Sequence, residues 1–308
     1  MRCVVTGGTG FVGRQLVRQL LAHHHEVILL TRSRSPAGTR QHSVPPTFPA
    51  NPTFRPVDFH DPHALQSALH GAEVVVHLVG IIAEWGQQTF ERVHVALTQS
   101  LLEAATSAQV PRWIHMSALG TRPQARARYH QTKWTAEHAV RHSTLSWTIF
   151  RPSIIYGAED QFTRLFDRMA GFSPILPILG PGTNLLQPIG VAQVAQAFAG
   201  AIDHPEAVGK TLDLCGPERW TFNALIDAIL EARGRRRAKL HLPWPLANAQ
   251  ARLLEALYSG LMNQQPPLNR DQILLLQENN VGDGRAADDL FHLHHPPLKE
   301  ALREYLRP

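Results

Sequence analysis

No run of this chain stays apolar for the roughly 18 residues that a membrane-spanning helix needs, which argues against a helical integral membrane protein. Cysteine is almost missing: 308 residues include two, Cys3 and Cys215. Both lie in apolar, strand-like runs, so a disulfide framework is excluded and two buried free thiols are expected. Charge is modest, with 18% charged residues and a net charge of +5. No basic stripe interleaves with aromatics, so nucleic acid is not an expected partner. The small positive bias suits an anionic ligand or an acidic surface. The first strand signal begins at residue 2 and leaves no room for a signal peptide of the usual form. The expected location is therefore cytoplasmic, with any membrane contact peripheral and at the inner face.

What the chain does have is concentrated at its start, MRCVVTGGTGFVG. Arg2 to Val5 reads as a short strand. From Phe11 the period changes, and Val12, Leu16, Val17, Leu20 and Leu21 form one helical stripe. Gly7, Gly10 and Gly13 thus occupy a strand-to-helix turn. Glycine there lets a ligand approach the main chain, and the helix N-terminus offers free N–H groups and a positive dipole end to a phosphate. Strand before and helix after is the context that a dinucleotide fingerprint requires.

The alternation continues. Glu26–Thr31, Arg55–Phe59, Glu73–Val79, Trp113–Ser117 and Ser146–Arg151 read as strands. Between them, Asp61-Pro62 opens a helix that Gly71 closes, Phe90–Ala108 forms a long helix, and another starts near Tyr129. Near-continuous apolar strands between amphipathic helices predict an α/β fold, a Rossmann-type doubly wound parallel sheet. Residues 33–56 are proline-rich and aperiodic and read as a long surface loop. After Arg151 the texture loosens (SPILPILGPGTN), with helices expected near 191–202 and 221–233, a capping box at Asn269 and Gln272, and a terminal helical face of Leu298, Ala301, Leu302, Tyr305 and Leu306. The expected organisation is a dinucleotide domain over 1–155, completed by a returning segment near 185–215, and a smaller C-terminal α/β-to-helical domain over 156–308.

Tyr129 and Lys133 are spaced i, i+4 (YHQTK) and share a helix face. With four tyrosines and four lysines in the chain, chance supplies only about 0.05 such pairs. A cation beside a phenol is expected to pull its pKa below the usual 10 or so and make a usable general acid or base. Ser117 ends the preceding strand, at the edge where ligands of such sheets bind, and its hydroxyl would polarise a carbonyl. His23-His24-His25 and the His292, His294, His295 group read as surface turns, since metal ligands must converge, and no metal is expected. Arg122, Arg126 and Arg128 read as a solvated loop or an attraction for an anionic substrate. Arg233, Arg235, Arg236, Arg237 and Lys239 follow a helix, where they favour the negative end of its dipole; a contact with anionic lipid or an acidic partner is the lesser alternative.

TGGTGFVG, the strand-end SALG, YHQTK and RPSIIYG together resemble the short-chain dehydrogenase/reductase superfamily in its extended or atypical, epimerase/dehydratase-like form, over most of residues 1–230. VVHLVGIIAE, FERVHVALTQSLLEAA, HMSALG and LNRDQILLLQENN are most similar to the group that contains the nucleotide-binding accessory subunit of respiratory complex I and its bacterial relatives. The resemblance implies that Gly7, Gly10 and Gly13 cradle a pyrophosphate, Asp58 meets the adenine, Ser117 polarises a carbonyl, Tyr129 transfers a proton, and Lys133 holds the nicotinamide ribose. It also implies a cofactor surface that takes in Thr6, Phe11, Val12, Phe59, Val79 and Gly80. The second strand ends Thr31-Arg32-Ser33-Arg34 without an acid, so NADP(H) is expected in preference to NAD(H), with Arg32 as the main contact.

Three functions follow as expectations. The first is an NAD(P)H-dependent oxidoreductase acting on a carbonyl or alcohol of unknown identity. The second is a non-catalytic NADP(H)-binding accessory or assembly protein, related to the complex I subunit or to quinone metabolism, in peripheral contact with a membrane or respiratory complex. The third is a sugar-nucleotide epimerase or dehydratase. The short Ser117–Tyr129 interval, and Gln193 where PIGVAQVAQAF resembles a stretch that often carries aspartate, weigh against the third. The sequence carries no signal of oligomeric state.

Overall fold

The computed structural model describes residues 1–32, 48, 51–262, 264 and 266–306. The first half runs β1 (Arg2–Thr6), α1 (Phe11–Ala22), β2 (Glu26–Arg32), β3 (Thr53–Val57), α2 (Pro62–Leu69), β4 (Val74–His77), a π-turn over Glu91–Ala96 leading into α3 (Leu97–Ser107), β5 (Arg112–Met116), α4 (Arg128–Arg141) and β6 (Ser146–Pro152). There follow β7 (Ile155–Tyr156), α5 (Gln161–Phe172), β8 (Ile175–Leu179), β9 (Leu185–Leu186), β10 (Ile189–Gly190), α6 (Val191–Gly200), β11 (Lys210–Leu214), β12 (Trp220–Thr221), α7 (Phe222–Ala232), β13 (Ala238–Leu242), α8 (Trp244–Leu254), α9 (Arg270–Leu276), α10 (Arg285–Phe291) and α11 (Leu298–Tyr305).

Seven strands form one parallel sheet in the order β11-β6-β5-β4-β1-β2-β3. The order reverses between β1 and β4, which is where a doubly wound sheet opens a crevice at its carboxyl edge. Successive strand residues point to opposite faces, and both faces are covered. Val5, Val76 and Ile114 pack with α1 and α6, while Val4, Val75 and Trp113 pack with α2, α3 and α4. A further core joins α5, β8, α7 and α11 in the second half.

Several boundaries correct the sequence reading. The third strand is Thr53–Val57, not Arg55–Phe59, so Asp58 and Phe59 lie just past its end. Residues 53–56 therefore belong to a strand and not to the expected loop, and the rest of that loop, Arg34 included, lies largely outside the described residues. Proline is tolerated there because β3 is an edge strand. The long helix expected from Phe90 opens as a π-turn before α3. Elsewhere the local signals hold. Asp61 caps α2 by accepting from the N–H groups of His63 and Ala64, and the Asn269–Gln272 capping box is present. Cys3 and Cys215 are buried and free, and burial pushes both thiols up to about 12.

Candidate active site

The glycine turn sits at the crevice. Gly7 has φ +76°, a left-handed conformation that favours glycine, and its carbonyl accepts the Gly10 N–H at 3.0 Å. A Cβ on Gly13 would fall 2.2 Å from that same carbonyl oxygen, and one on Gly7 would meet the Leu78 backbone at 3.2 Å. The turn is therefore as tight as an all-glycine cradle allows. α1 starts at Phe11 with Gly10 as its N-cap and no side-chain cap, so its first N–H groups have neither an intrahelical nor a side-chain acceptor.

From this turn runs a cleft of about 700 Å³, lined at one end by Thr31, Arg32, Phe59 and His60 and at the other by Leu78–Ile81 and Arg92. That volume is within the range of cofactor pockets. A glycine cradle, bare helix N–H groups, an arginine at the end of β2 and apolar walls fit a dinucleotide.

The expected cofactor residues divide. Gly7, Gly10, Arg32, Phe59, Val79 and Gly80 line the cleft. Thr6 does not: it is buried, and its hydroxyl lies 2.6 Å from His77 Nδ1. The Val12 side chain is in the core, and Phe11 reaches toward Gly157, so these two bring only main chain to the cradle. Asp58 is exposed and accepts the His60 N–H, which shapes the turn that presents Phe59 and His60.

Ser117, Tyr129 and Lys133 do not themselves line the cleft; Lys133 comes nearest, behind Gly80. Lys133 is buried, and its Nζ donates to the Met116 carbonyl at 3.0 Å, one residue before Ser117. The same Nζ lies 3.0 Å from where a Gly80 Cβ would stand, so the ammonium abuts the cleft floor. Ser117 is buried, donates its N–H to Phe150 O and places its hydroxyl 3.4 Å from Thr121 Oγ1. Tyr129 stands one turn before Lys133 on α4, its ring edge-on to His94 (5.4 Å) and Phe90 (5.9 Å).

Electrostatics correct one expectation. Burial pushes the Tyr129 hydroxyl up to about 12 and the Lys133 ammonium down to about 8. The phenol is not pulled toward neutrality, because loss of solvation disfavours both charged forms and Lys133 spends a proton on a backbone carbonyl.

Sequence reading missed a histidine network behind this group. His94 Nε2 lies 3.1 Å from the Ile81 nitrogen, and Nδ1 lies 2.9 Å from Thr132 Oγ1. His94 thereby ties the cleft wall to the helix that carries Tyr129. His77 joins Thr6 and Thr98. His115, paired with His77 across β4 and β5, has its ring 5.5 Å from it and tilted by 32°, with no hydrogen-bond partner on either ring nitrogen. Burial holds His77 down at about 3, His94 at about 2, and His115 well below the usual imidazole range. Histidine inside otherwise apolar strands (VVVH, RWIHM) was the available signal.

The three arginines before Tyr129 are neither loose nor aimed at the cleft. Arg122 pairs with Glu278, Arg126 donates to Gln277, and Arg128 pairs with Glu84. Together with the Arg128 N–H donated to Asp271, they fasten the loop after β5 under residues 271–278.

Comparison with known proteins agrees with this geometry. A family model described as NAD(P)H-binding matches residues 7–173. A protein of Arabidopsis thaliana named NADH dehydrogenase (ubiquinone) 1 alpha subcomplex subunit 9, mitochondrial, is 30% identical over 290 residues, covering 90% of this chain and 68% of the relative. A protein of Caulobacter vibrioides named ceramide reductase is 29% identical, covering 84% and 78%. Among solved structures, a UDP-glucuronic acid 4-epimerase mutant from Bacillus cereus, in complex with a substrate analogue and NAD, aligns with a TM-score of 0.72 at 20% identity, over 99% of both chains. At that identity the likeness is one of fold.

Proposed function

This chain belongs to the NAD(P)H-binding family, and on that premise we propose that it is an NADP(H)-dependent oxidoreductase of the extended short-chain dehydrogenase/reductase type, acting on a carbonyl or its alcohol. The observation that carries the reading is the position of Lys133: its ammonium lies against Gly80 in the cleft floor, on the helix that carries Tyr129 and beside the strand end that carries Ser117. Bound NADPH would supply the hydride. Tyr129, neutral across the physiological range, would donate the proton to the developing alkoxide. Ser117 would hold the carbonyl oxygen, and Lys133 would hold the ribose and stabilise the phenolate left behind. The ceramide reductase relative supports a long-chain, lipid-like substrate. Residues 1–155, with 185–215 returning to the sheet, form the dinucleotide domain in this proposal, and 156–308 shape the substrate side.

The test is a fluorescence titration with NADPH and, in parallel, NADH. Tighter binding of NADPH, lost in Arg32→Ala, is expected. Equal affinity for the two in both proteins overturns the NADP(H) assignment, and no binding of either overturns the enzyme.

A second reading is favoured by the Arabidopsis relative, whose name is that of a respiratory-complex subunit. Here bound cofactor acts as a structural ligand, stabilising the fold by mass action. Co-purification with a respiratory complex, together with full function of Tyr129→Phe in assembly, would establish it.

A further inference from the structure

Among the described residues, nine of the twelve large apolar side chains left open to solvent lie between 165 and 262. They are not scattered. Phe172, the last residue of α5, is 94% exposed. Three residues later Ile175 opens β8, and the parallel register sets Pro177 opposite Leu240 of β13. Opposed residues share a side of a ladder. The inner side is fixed by Leu176 and Ile178, which are buried in the core of the second half. Ile175, Pro177 and Leu240 therefore face outward, and all three are exposed. Further along the same face, Leu179 packs with Trp244 against Ala247 and Ala251, which lays α8 over the end of this ribbon. α8 turns Ala247 and Ala251 inward and carries Leu246 and Leu253 outward, with Leu257 one turn on. The outcome is a set of exposed apolar side chains on ribbon and helix, with Phe172 the most exposed of them.

Cations border this surface. Residues 233–242 hold five and no carboxylate. Arg233 and Arg235 pair with Asp167, and Lys239 pairs with Asp227. Arg236 is exposed, and Arg237 donates to the carbonyls of Ala170 and Arg236. On α5, exposed Arg168 stands one turn before Phe172, and exposed Arg164 one turn before that, so both share its side of the helix. Among the described residues Arg164, Arg168, Arg236 and Arg237 form no ion pair with a carboxylate.

We infer that this face docks the protein on an anionic phospholipid bilayer. Apolar side chains this open to solvent, Phe172 above all, match insertion at the headgroup–acyl boundary. Arginines whose partners are carbonyls and not carboxylates keep their charge unmatched and suit lipid phosphates, and their stems extend the apolar contact. An apolar patch of this kind on a soluble surface marks an interaction site, and the unmatched positive charge selects the lipid over a neutral protein face. The inference does not depend on the proposed reaction.

Flotation of the full chain with vesicles tests it. Vesicles of equimolar phosphatidylcholine and phosphatidylglycerol should carry the protein, vesicles of phosphatidylcholine alone far less, and added salt should weaken the binding. Arg168→Glu with Arg236→Glu, and separately Phe172→Asp with Leu240→Asp, should each lower the partition coefficient at least tenfold. All four side chains are exposed, so NADPH affinity should be unchanged, which separates this outcome from failure of the cofactor reading. Equal flotation on both vesicle types, or variants that float like the parent, overturns the inference. A chain that ignores vesicles but self-associates through Phe172 and Leu240 would assign the face to a protein contact instead.

Discussion

Lys133 donates its ammonium to the carbonyl oxygen of Met116 at 3.0 Å. This bond joins the middle of α4 to the end of β5 and fixes the helix at the carboxyl edge of the sheet. It keeps the ammonium in a buried place against the cleft floor at Gly80. Glu137, one turn further along α4, opposes the loss of solvation and raises the Lys133 pKa. The same helix therefore holds the Tyr129 phenol, the Lys133 ammonium and the carboxylate that steadies that ammonium.

Tyr129→Phe tests the donor. The ring contacts with His94 and Phe90 survive the change, since only a hydroxyl is removed. Steady-state reduction should fall by about 10²–10⁴-fold, the usual range for a positioned general acid. NADPH affinity should stay within about twofold of the parent, because the hydroxyl contributes to proton transfer and not to the cradle. Unchanged turnover removes Tyr129 from the mechanism.

The pH profile should report Lys133 before Tyr129. Burial holds the lysine at about 8 and the phenol at about 12, so on raising the pH the lysine loses its charge first. The kcat/KM of reduction, which reports groups of the free enzyme, should be level near neutrality and decline above about pH 8. Lys133→Arg should move that limb upward while retaining part of the activity, since a guanidinium stays charged. A limb that does not move assigns the titration to another group.

The fold was legible because its signals are local. Strand and helix periods, the Gly7–Gly10–Gly13 spacing and the Tyr129–Lys133 spacing each fit inside a dozen residues. Even the capping box at Asn269 needed only four positions. What escaped were relations across the chain. Nothing near His94 announces Ile81 or Thr132 as partners, and nothing near Arg122 announces Glu278 far downstream. β3 was misplaced because prolines speak against a strand unless the strand lies at an edge, and edge position is a property of the whole sheet. The phenol's shift went the wrong way for a similar reason: spacing shows that a cation is near, but not that both groups are dry.

The histidine network predicts acid sensitivity. His77, His94 and His115 are neutral when folded, with pKa values of about 3, about 2 and well below normal, whereas in the unfolded chain each takes a proton near pH 6.5. Below that pH the unfolded state binds more protons, so their contribution to stability is present above about pH 6.5 and is lost as pH falls toward the folded values. Each group adds up to about 1.4 kcal/mol per pH unit to that slope. Urea unfolding of the parent and of His115→Phe, measured between neutral pH and about pH 5, should differ in slope by about that amount. His115 is the group to replace because its ring nitrogens have no partners to strand. Identical slopes would mean that His115 is not kept neutral by the fold.

Glu137 should be the costliest side chain of α4 to change. It is fully buried and receives Arg151 through both carboxylate oxygens, at 2.8 and 2.6 Å, and Arg141 at 2.5 Å. The Trp134 ring lies 5.0 Å from the Arg141 guanidinium and 6.0 Å from that of Arg151. Removing one member of a buried pair strands the other charge and costs about 3–5 kcal/mol. Both arginines keep partial access to water, with 24% and 20% of their side chains exposed, which places Glu137→Gln near the lower end of that range. The amide keeps the shape and one acceptor, so the variant should fold, with a lower urea midpoint and an unchanged m-value. It should also deepen the depression of the Lys133 pKa, because the anion that opposes burial is gone. The alkaline limb of reduction should then begin at a lower pH than in the parent. A stability loss without movement of that limb would mean that Glu137 anchors α4 to β6 and has no electrostatic hold on the site.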